Sequence, residues 1–87
     1  MAKVFIPTLL KELTGGQTEV QADGTTVRQL IQDLDRQFPG LAARLTGAGR
    51  LQPNISVAID GEVSPLGLVE KVPPNAEVHF VTAIKGG

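Results

Sequence analysis

Two groups near the carboxyl end of this 87-residue chain have the chemistry to act: the α-carboxylate of Gly87 and the imidazole of His79. Gly86-Gly87 closes the sequence, and two glycines would stand there by chance about once in 200 chains. The run Val78-His79-Phe80-Val81-Thr82-Ala83-Ile84 reads as a strand and leads into the pair with only Lys85 between. A terminus is ordinarily frayed and expendable. Here a strand is expected to carry Ile84, Lys85 and Gly86 out from the body of the protein and to present the Gly87 carboxylate. His79 is the single histidine, with no nucleophile at a spacing that would make it a catalytic base.

Other arrangements do not reach a site. Gly47-Ala48-Gly49-Arg50 lacks the Lys-Ser/Thr pair of a phosphate loop. Asp33 and Asp35 are two apart on a predicted helix and share no face. Glu19 and Asp23 lack a third ligand, so no metal is expected. With no cysteine there is no disulfide framework, thiolate nucleophile or thiolate metal ligand. A net charge of −1 gives no basic field for nucleic acid, and with no Trp or Tyr there is no platform for stacking bases. No apolar run approaches membrane length and no signal pattern opens the chain, so a cytoplasmic protein is expected.

The elements that must position the tail follow from periodicity. Lys3–Pro7 alternates through Val4 and Ile6 against Phe5, and Thr18–Ala22 alternates through Val20. Between them Thr8–Thr14 reads as a partly buried turn, with Gly15-Gly16 closing a hairpin. Thr25 or Thr26 can cap a helix in which Val27, Leu30, Ile31, Leu34 and Phe38 form one apolar stripe. Arg28, Gln29, Gln32, Asp33 and Arg36 are then expected to face water. Pro39-Gly40 ends the helix, Leu41–Leu45 allows another short turn, and Gly47-Ala48-Gly49 reads as a flexible loop. Ile55-Val57-Ile59 is a third strand, Asp60-Gly61 a hairpin turn, Glu62-Val63 a short return strand, and Pro73-Pro74-Asn75 a turn before the last strand.

One helix covers only one face of a sheet, so the order predicts an α+β domain. The first and last strands lie most economically side by side at its centre, the β-grasp (ubiquitin-like) arrangement. That gives a mixed sheet of four to five strands with one main helix on one face, over residues 1–85, and Gly86-Gly87 as a flexible tail.

Several segments resemble the ThiS/MoaD group of ubiquitin-like sulfur carriers. They are Val4-Phe5-Ile6-Pro7, Leu10 with Glu12-Leu13-Thr14-Gly15, Thr26-Val27-Arg28-Gln29-Leu30, Phe38-Pro39-Gly40-Leu41, Val57-Ala58-Ile59-Asp60-Gly61-Glu62 and Gly86-Gly87. Ile6-Pro7-Thr8 with Thr14-Gly15-Gly16-Gln17 is most similar to the carriers that supply sulfur for cysteine and related thio-metabolites. Thr82-Ala83-Ile84-Lys85 stands where the family often has a proline, a departure from the molybdopterin and thiazole branches.

The resemblance implies a carrier rather than an enzyme. An ATP-dependent adenylating enzyme of the ubiquitin-activating type would activate the Gly87 carboxylate. A sulfur donor would convert it to a thiocarboxylate, and a sulfur-accepting synthase would take the sulfur. ATP is then the partner's cofactor, none is bound by the chain, and the free protein is expected to be a monomer. Period-2 alternation places His79 and Val81 on the open face of the sheet, with Phe5 beside them, as a partner-docking surface. Two alternatives use the same activated end: a protein modifier joined to lysine, and the small subunit of a molybdopterin-synthase-type enzyme.

Overall fold

The computed structural model describes residues 1–82, in which alternating apolar residues set the sheet. Strand β1 (Ala2–Phe5) buries Ala2 and Val4, and β2 (Glu19–Ala22) buries Val20 and Ala22. Later come β5 (Ile55–Ile59), the short β6 (Glu62–Val63) and β7 (Glu77–Thr82). Together they form one five-stranded sheet in the order β2-β1-β7-β5-β6. The β1 and β7 strands pair in parallel at its centre, with Val4 opposite Val78 and Phe5 opposite His79. The other neighbours are antiparallel, including Val57 opposite Phe80 and Ile55 opposite Thr82. The expected α+β β-grasp architecture is therefore present.

A parallel pair needs a long crossover, and helix α1 (Val27–Gln37) lies within it. Of the two candidate caps, Thr26 is the one used: its hydroxyl accepts from the Gln29 amide at 3.2 Å. The Gln29 side chain reaches back to the Thr25 amide at 2.9 Å, so two otherwise orphaned donors are satisfied reciprocally. Val27, Leu30, Ile31 and Leu34 are buried against Val4, Val57, Val78 and Phe80 in one core cluster. Phe38 ends the helix as its half-buried C-cap rather than extending it. A second short helix, α2 (Leu41–Leu45), adds Leu41 and Leu45 to the core. Its start is tied to α1 by Asp35, whose carboxylate accepts from the Gly40 and Ala42 amides at 3.1 and 3.0 Å.

Several expectations need correction. Asp33 does not simply face water: its side chain is 9% exposed. It accepts from the Asp23 amide at 3.0 Å and from Gln37 at 3.0 Å, and it pairs with Arg36. Gln37 in turn donates to the Gln21 carbonyl, so the side of α1 is clasped to the end of β2. The Gly47-Ala48-Gly49 segment is a hairpin rather than a loose loop. Strands β3 (Thr46–Gly47) and β4 (Arg50–Leu51) pair across Ala48-Gly49, both at positive φ, as in a two-residue type I′ turn. Thr8–Thr14 is a 3₁₀ helix, closed by Gly15 in the left-handed region. Gly24, just after β2, sits so close to α1 that a Cβ would stand 2.5 Å from the Leu30 amide nitrogen. The strand boundaries also differ by a residue or two, β1 beginning at Ala2 and β2 at Glu19.

Two outcomes follow from the core and the clasp. Leu30→Ala or Leu34→Ala should cost about 2–5 kcal/mol, since both side chains are fully buried and truncation leaves a cavity; a shifted urea midpoint reads this. For Asp33, the Asp23 amide, ahead of Arg36 and Gln37, holds the carboxyl below its ordinary value against the opposing pull of burial. A carboxyl lowered on folding contributes stability above its unfolded value, and that contribution is lost as pH falls through the folded value. Asp33→Asn should therefore be less stable than wild type at neutral pH, and the gap should close in acid. Urea midpoints at neutral pH and at about pH 2 check this; a gap that persists in acid contradicts it.

Candidate functional site

Strand β7 carries the candidate residues, and its alternation decides which way they point. Val78 and Phe80 are buried beneath α1, so His79 and Val81 lie on the opposite, open face. His79 is half-buried and Val81 is 48% exposed. Register brings Phe5 of β1 directly beside His79. Their rings stack at a centroid separation of 4.1 Å with nearly parallel planes, 5° apart. Stacking of this kind adds to simple area burial, and it fixes two flat side chains at the centre of the open face.

Sequence reasoning missed how far this surface extends. Ala58 of β5 stands opposite His79, and Val63 of β6 stands opposite Ala58. Val63 is 67% exposed, so Phe5, His79, Ala58 and Val63 form one row from the centre of the sheet to its edge. Counting parity through Asp60-Gly61 would have found Val63, because a two-residue turn preserves which side each strand presents. At the other end the row is bounded by charge: Glu19 sits opposite Phe5 and pairs with Lys3 at 3.2 Å.

Among the described residues, no acid–base relay flanks the imidazole in register. Its register neighbours on the two flanking strands are Phe5 and Ala58, neither able to exchange a proton. Among the described residues, no three His, Asp or Glu side chains are grouped to hold a metal ion. None of the described helices is long and apolar enough to cross a membrane. This face presents a flat aromatic pair and exposed aliphatic groups, centred on the last described strand. Ile84, Lys85, Gly86 and Gly87 lie outside the described residues, as does the expected boundary between domain and tail.

A five-stranded mixed sheet with a central parallel pair and a capped helix on one face defines a β-grasp, ubiquitin-like protein. The model of the ThiS family matches residues 4–87, and the chain belongs to that family. It is 32% identical over 89 residues to the sulfur carrier protein CysO of Mycobacterium tuberculosis, covering 97% of this chain and 96% of that one. A chain in the crystal structure of the BexX/CysO complex of Amycolatopsis orientalis superposes with a TM-score of 0.94 at 32% identity, covering all of both chains. The small archaeal modifier protein 1 of Methanosarcina acetivorans shares the fold, with a TM-score of 0.81 at 22% identity over 99% of this chain and 95% of that one. The chain is thus a homologue of sulfur carrier proteins, and one such relative has been solved in a complex.

The strand parity makes a direct prediction. Val81→Asp should melt within a few degrees of wild type, because the side chain already faces water. Phe80→Asp should fail to fold or melt far lower, since it would bury an unpaired charge at a position 3% exposed. Thermal melts by circular dichroism separate the two; the reverse ranking would mean the faces are assigned the wrong way round.

Proposed function

We propose that the protein is a sulfur carrier whose working group is the Gly87 carboxylate, and that it is not itself a catalyst. The observation that carries this reading is the ThiS-family match, which runs through Gly86-Gly87 and includes the strand that leads to them. The 32% identity to CysO favours delivery of sulfur toward cysteine or a related thiol product. The absence of cysteine from the chain is consistent with a cargo held as an acyl sulfur rather than a persulfide.

The chemistry follows from the electronic character of a carboxylate. Its charge is shared over two oxygens, so the carbon is a poor electrophile. In an adenylating enzyme of the ubiquitin-activating type, a Gly87 oxygen would attack the α-phosphorus of ATP and expel pyrophosphate. A hydrosulfide-equivalent donor would then attack the carbonyl carbon, breaking the C–O bond to AMP and leaving a thiocarboxylate. That sulfur is a strong nucleophile for an acceptor held in a synthase. Glycine suits the passage, since a Cβ would meet the walls of a narrow channel and restrict the backbone angles. ATP and the enzymes are the partners' contribution, and His79, Val81 and Phe5 supply the docking surface.

Deleting Gly87, or adding a residue after it, should abolish ATP–pyrophosphate exchange by the cognate activating enzyme while the circular dichroism spectrum is unchanged. Full exchange by the shortened chain would overturn the proposal. His79→Asp and Val81→Asp should still exchange at saturation but bind that enzyme more weakly in calorimetric titration, by about 2 kcal/mol for a central contact. Intact mass of protein from its native cell separates carrier from modifier: a thiocarboxylate replaces one oxygen by sulfur, whereas a modifier leaves a Gly-Gly remnant on target lysines.

A further inference from the structure

On the reading of Gly87 as the adenylated group, the short stretch from Thr82 to Gly87 limits what an activating enzyme can avoid touching. Five residues follow Thr82, and fully extended they span at most about 18 Å. An enzyme that encloses Gly87 beside a nucleotide must therefore press the mouth of its channel against whatever surrounds Thr82. What surrounds it is a groove of about 260 Å³ at the end of the sheet, between the 3₁₀ helix, α2 and the start of β5. Leu9, Ala43, Arg44, Asn54 and Thr82 are among its lining residues.

Two features of that groove suit it to a partner, and the exposure of its leucine is the unusual one. Leu9 is 73% exposed, more than any other large apolar side chain among the described residues. The segment that presents it is rigidly anchored: Leu10 and Thr14 are buried, the Leu10 amide donates to Pro7, and the Gly16 amide donates to Lys11 at 2.8 Å. Arg44 is exposed and takes part in none of the ion pairs among the described residues, and no acidic residue lines the groove. The opposite end of the sheet differs in sign, with Asp60 and Glu77 joined where β5 turns into β6. A fixed, unusually exposed leucine beside an unpaired guanidinium is complementary to an apolar side chain flanked by a carboxylate.

We infer that the Leu9–Arg44 groove is a second docking site for the adenylating enzyme, taking an apolar side chain and an adjacent carboxylate at the rim of that enzyme's channel. It is separate from the Phe5–His79–Val63 row, which lies on the open face of the sheet. The row supplies affinity, and the groove fixes where the tail enters. This rests on the reading of Gly87 as the adenylated group, and the experiment distinguishes the two.

Steady-state ATP–pyrophosphate exchange is measured with the cognate activating enzyme and full-length wild type, Leu9→Gln, Arg44→Ala and Arg44→Glu. The expected result is a KM for the carrier about tenfold higher for Leu9→Gln and Arg44→Glu, the loss of one well-placed contact, with unchanged melting temperatures. Raising NaCl should increase the wild-type KM, and Arg44→Ala should show a shallower dependence, because screening acts on the charge pair that this variant lacks. Equal KM values and equal salt dependence for all four proteins would overturn the inference while leaving adenylation intact. Exchange absent with wild type itself would overturn the reading of Gly87 instead. Should Leu9→Gln fail to fold, the two Arg44 variants decide alone.

Discussion

The parallel pairing of β1 with β7 is the constraint on which the remaining structure depends. Both strands are internal, so β7 has partners along both edges and its register is fixed from two sides. Because side chains alternate, a slip of one residue would turn Val78 and Phe80 outward and bring His79 and Val81 beneath α1. The fully buried Leu30 and Leu34 would then meet an imidazole instead of a phenyl ring. The same register that closes the core therefore selects the open face. Core and open face are two sides of one alternation, and neither can be changed alone.

A parallel pair also dictates the chain path. The C-terminal ends of β1 and β7 lie at one edge of the molecule, so the 3₁₀ helix that follows β1 lies beside the end of β7. Leu9 is near Thr82 for this reason, although they are far apart in sequence. An antiparallel partner for β7 would have sent the 3₁₀ helix to the opposite end. The position of α1 is secured by backbone as well as by apolar contact. The Val27 amide donates to the Glu70 carbonyl and the Val72 amide to the Thr25 carbonyl, both at 2.9 Å, strapping residues 70–72 across its N-terminus.

Features governed by period were legible in the sequence. The stripe Val27-Leu30-Ile31-Leu34 and the alternation of β5 and β7 each repeat over enough residues to override a single ambiguous position. The Asp60-Gly61 turn was legible because Asp-Gly is a favoured pair at two successive positive φ angles. Ala48-Gly49 adopts the same kind of turn without the signature, and β3 and β4, at two residues each, are too short to display alternation. Asp33 was misread for another reason. Its helical position is solvent-facing by periodicity, but the partner that covers it, the Asp23 amide, comes from a neighbouring element. Local pattern holds no record of such contacts, and the same blindness concealed the tight approach of Gly24 to Leu30. Of the candidate site, β7 parity and the Phe5–His79 neighbourhood were legible, while Val63 and the Leu9 groove required the register and the chain path.

On the proposed reading of Gly87 as the working group, the terminal residues and the folded domain contribute differently to recognition, in a way that physical chemistry favours. Ordering each tail residue in a channel opposes binding by about 1–2 kcal/mol, and glycine, with the most freedom to lose, has no side chain to offset it. On the proposed reading, Gly86 and Gly87 carry that penalty because only glycine fits beside a nucleotide in a narrow channel. Affinity must then come from surfaces already ordered before binding. The Phe5–His79 stack meets that requirement, since the two rings fix each other and give up little further freedom in contact with a partner. Leu9 meets it differently, through an anchored 3₁₀ helix with buried neighbours on either side in Pro7 and Leu10. Rigidity at the base of the tail has a second effect: the reach of the reacting carbon is set by a few bonds rather than by the motion of a domain. On the proposed reading, the folded domain thereby controls where chemistry on Gly87 takes place without supplying a catalytic group to it.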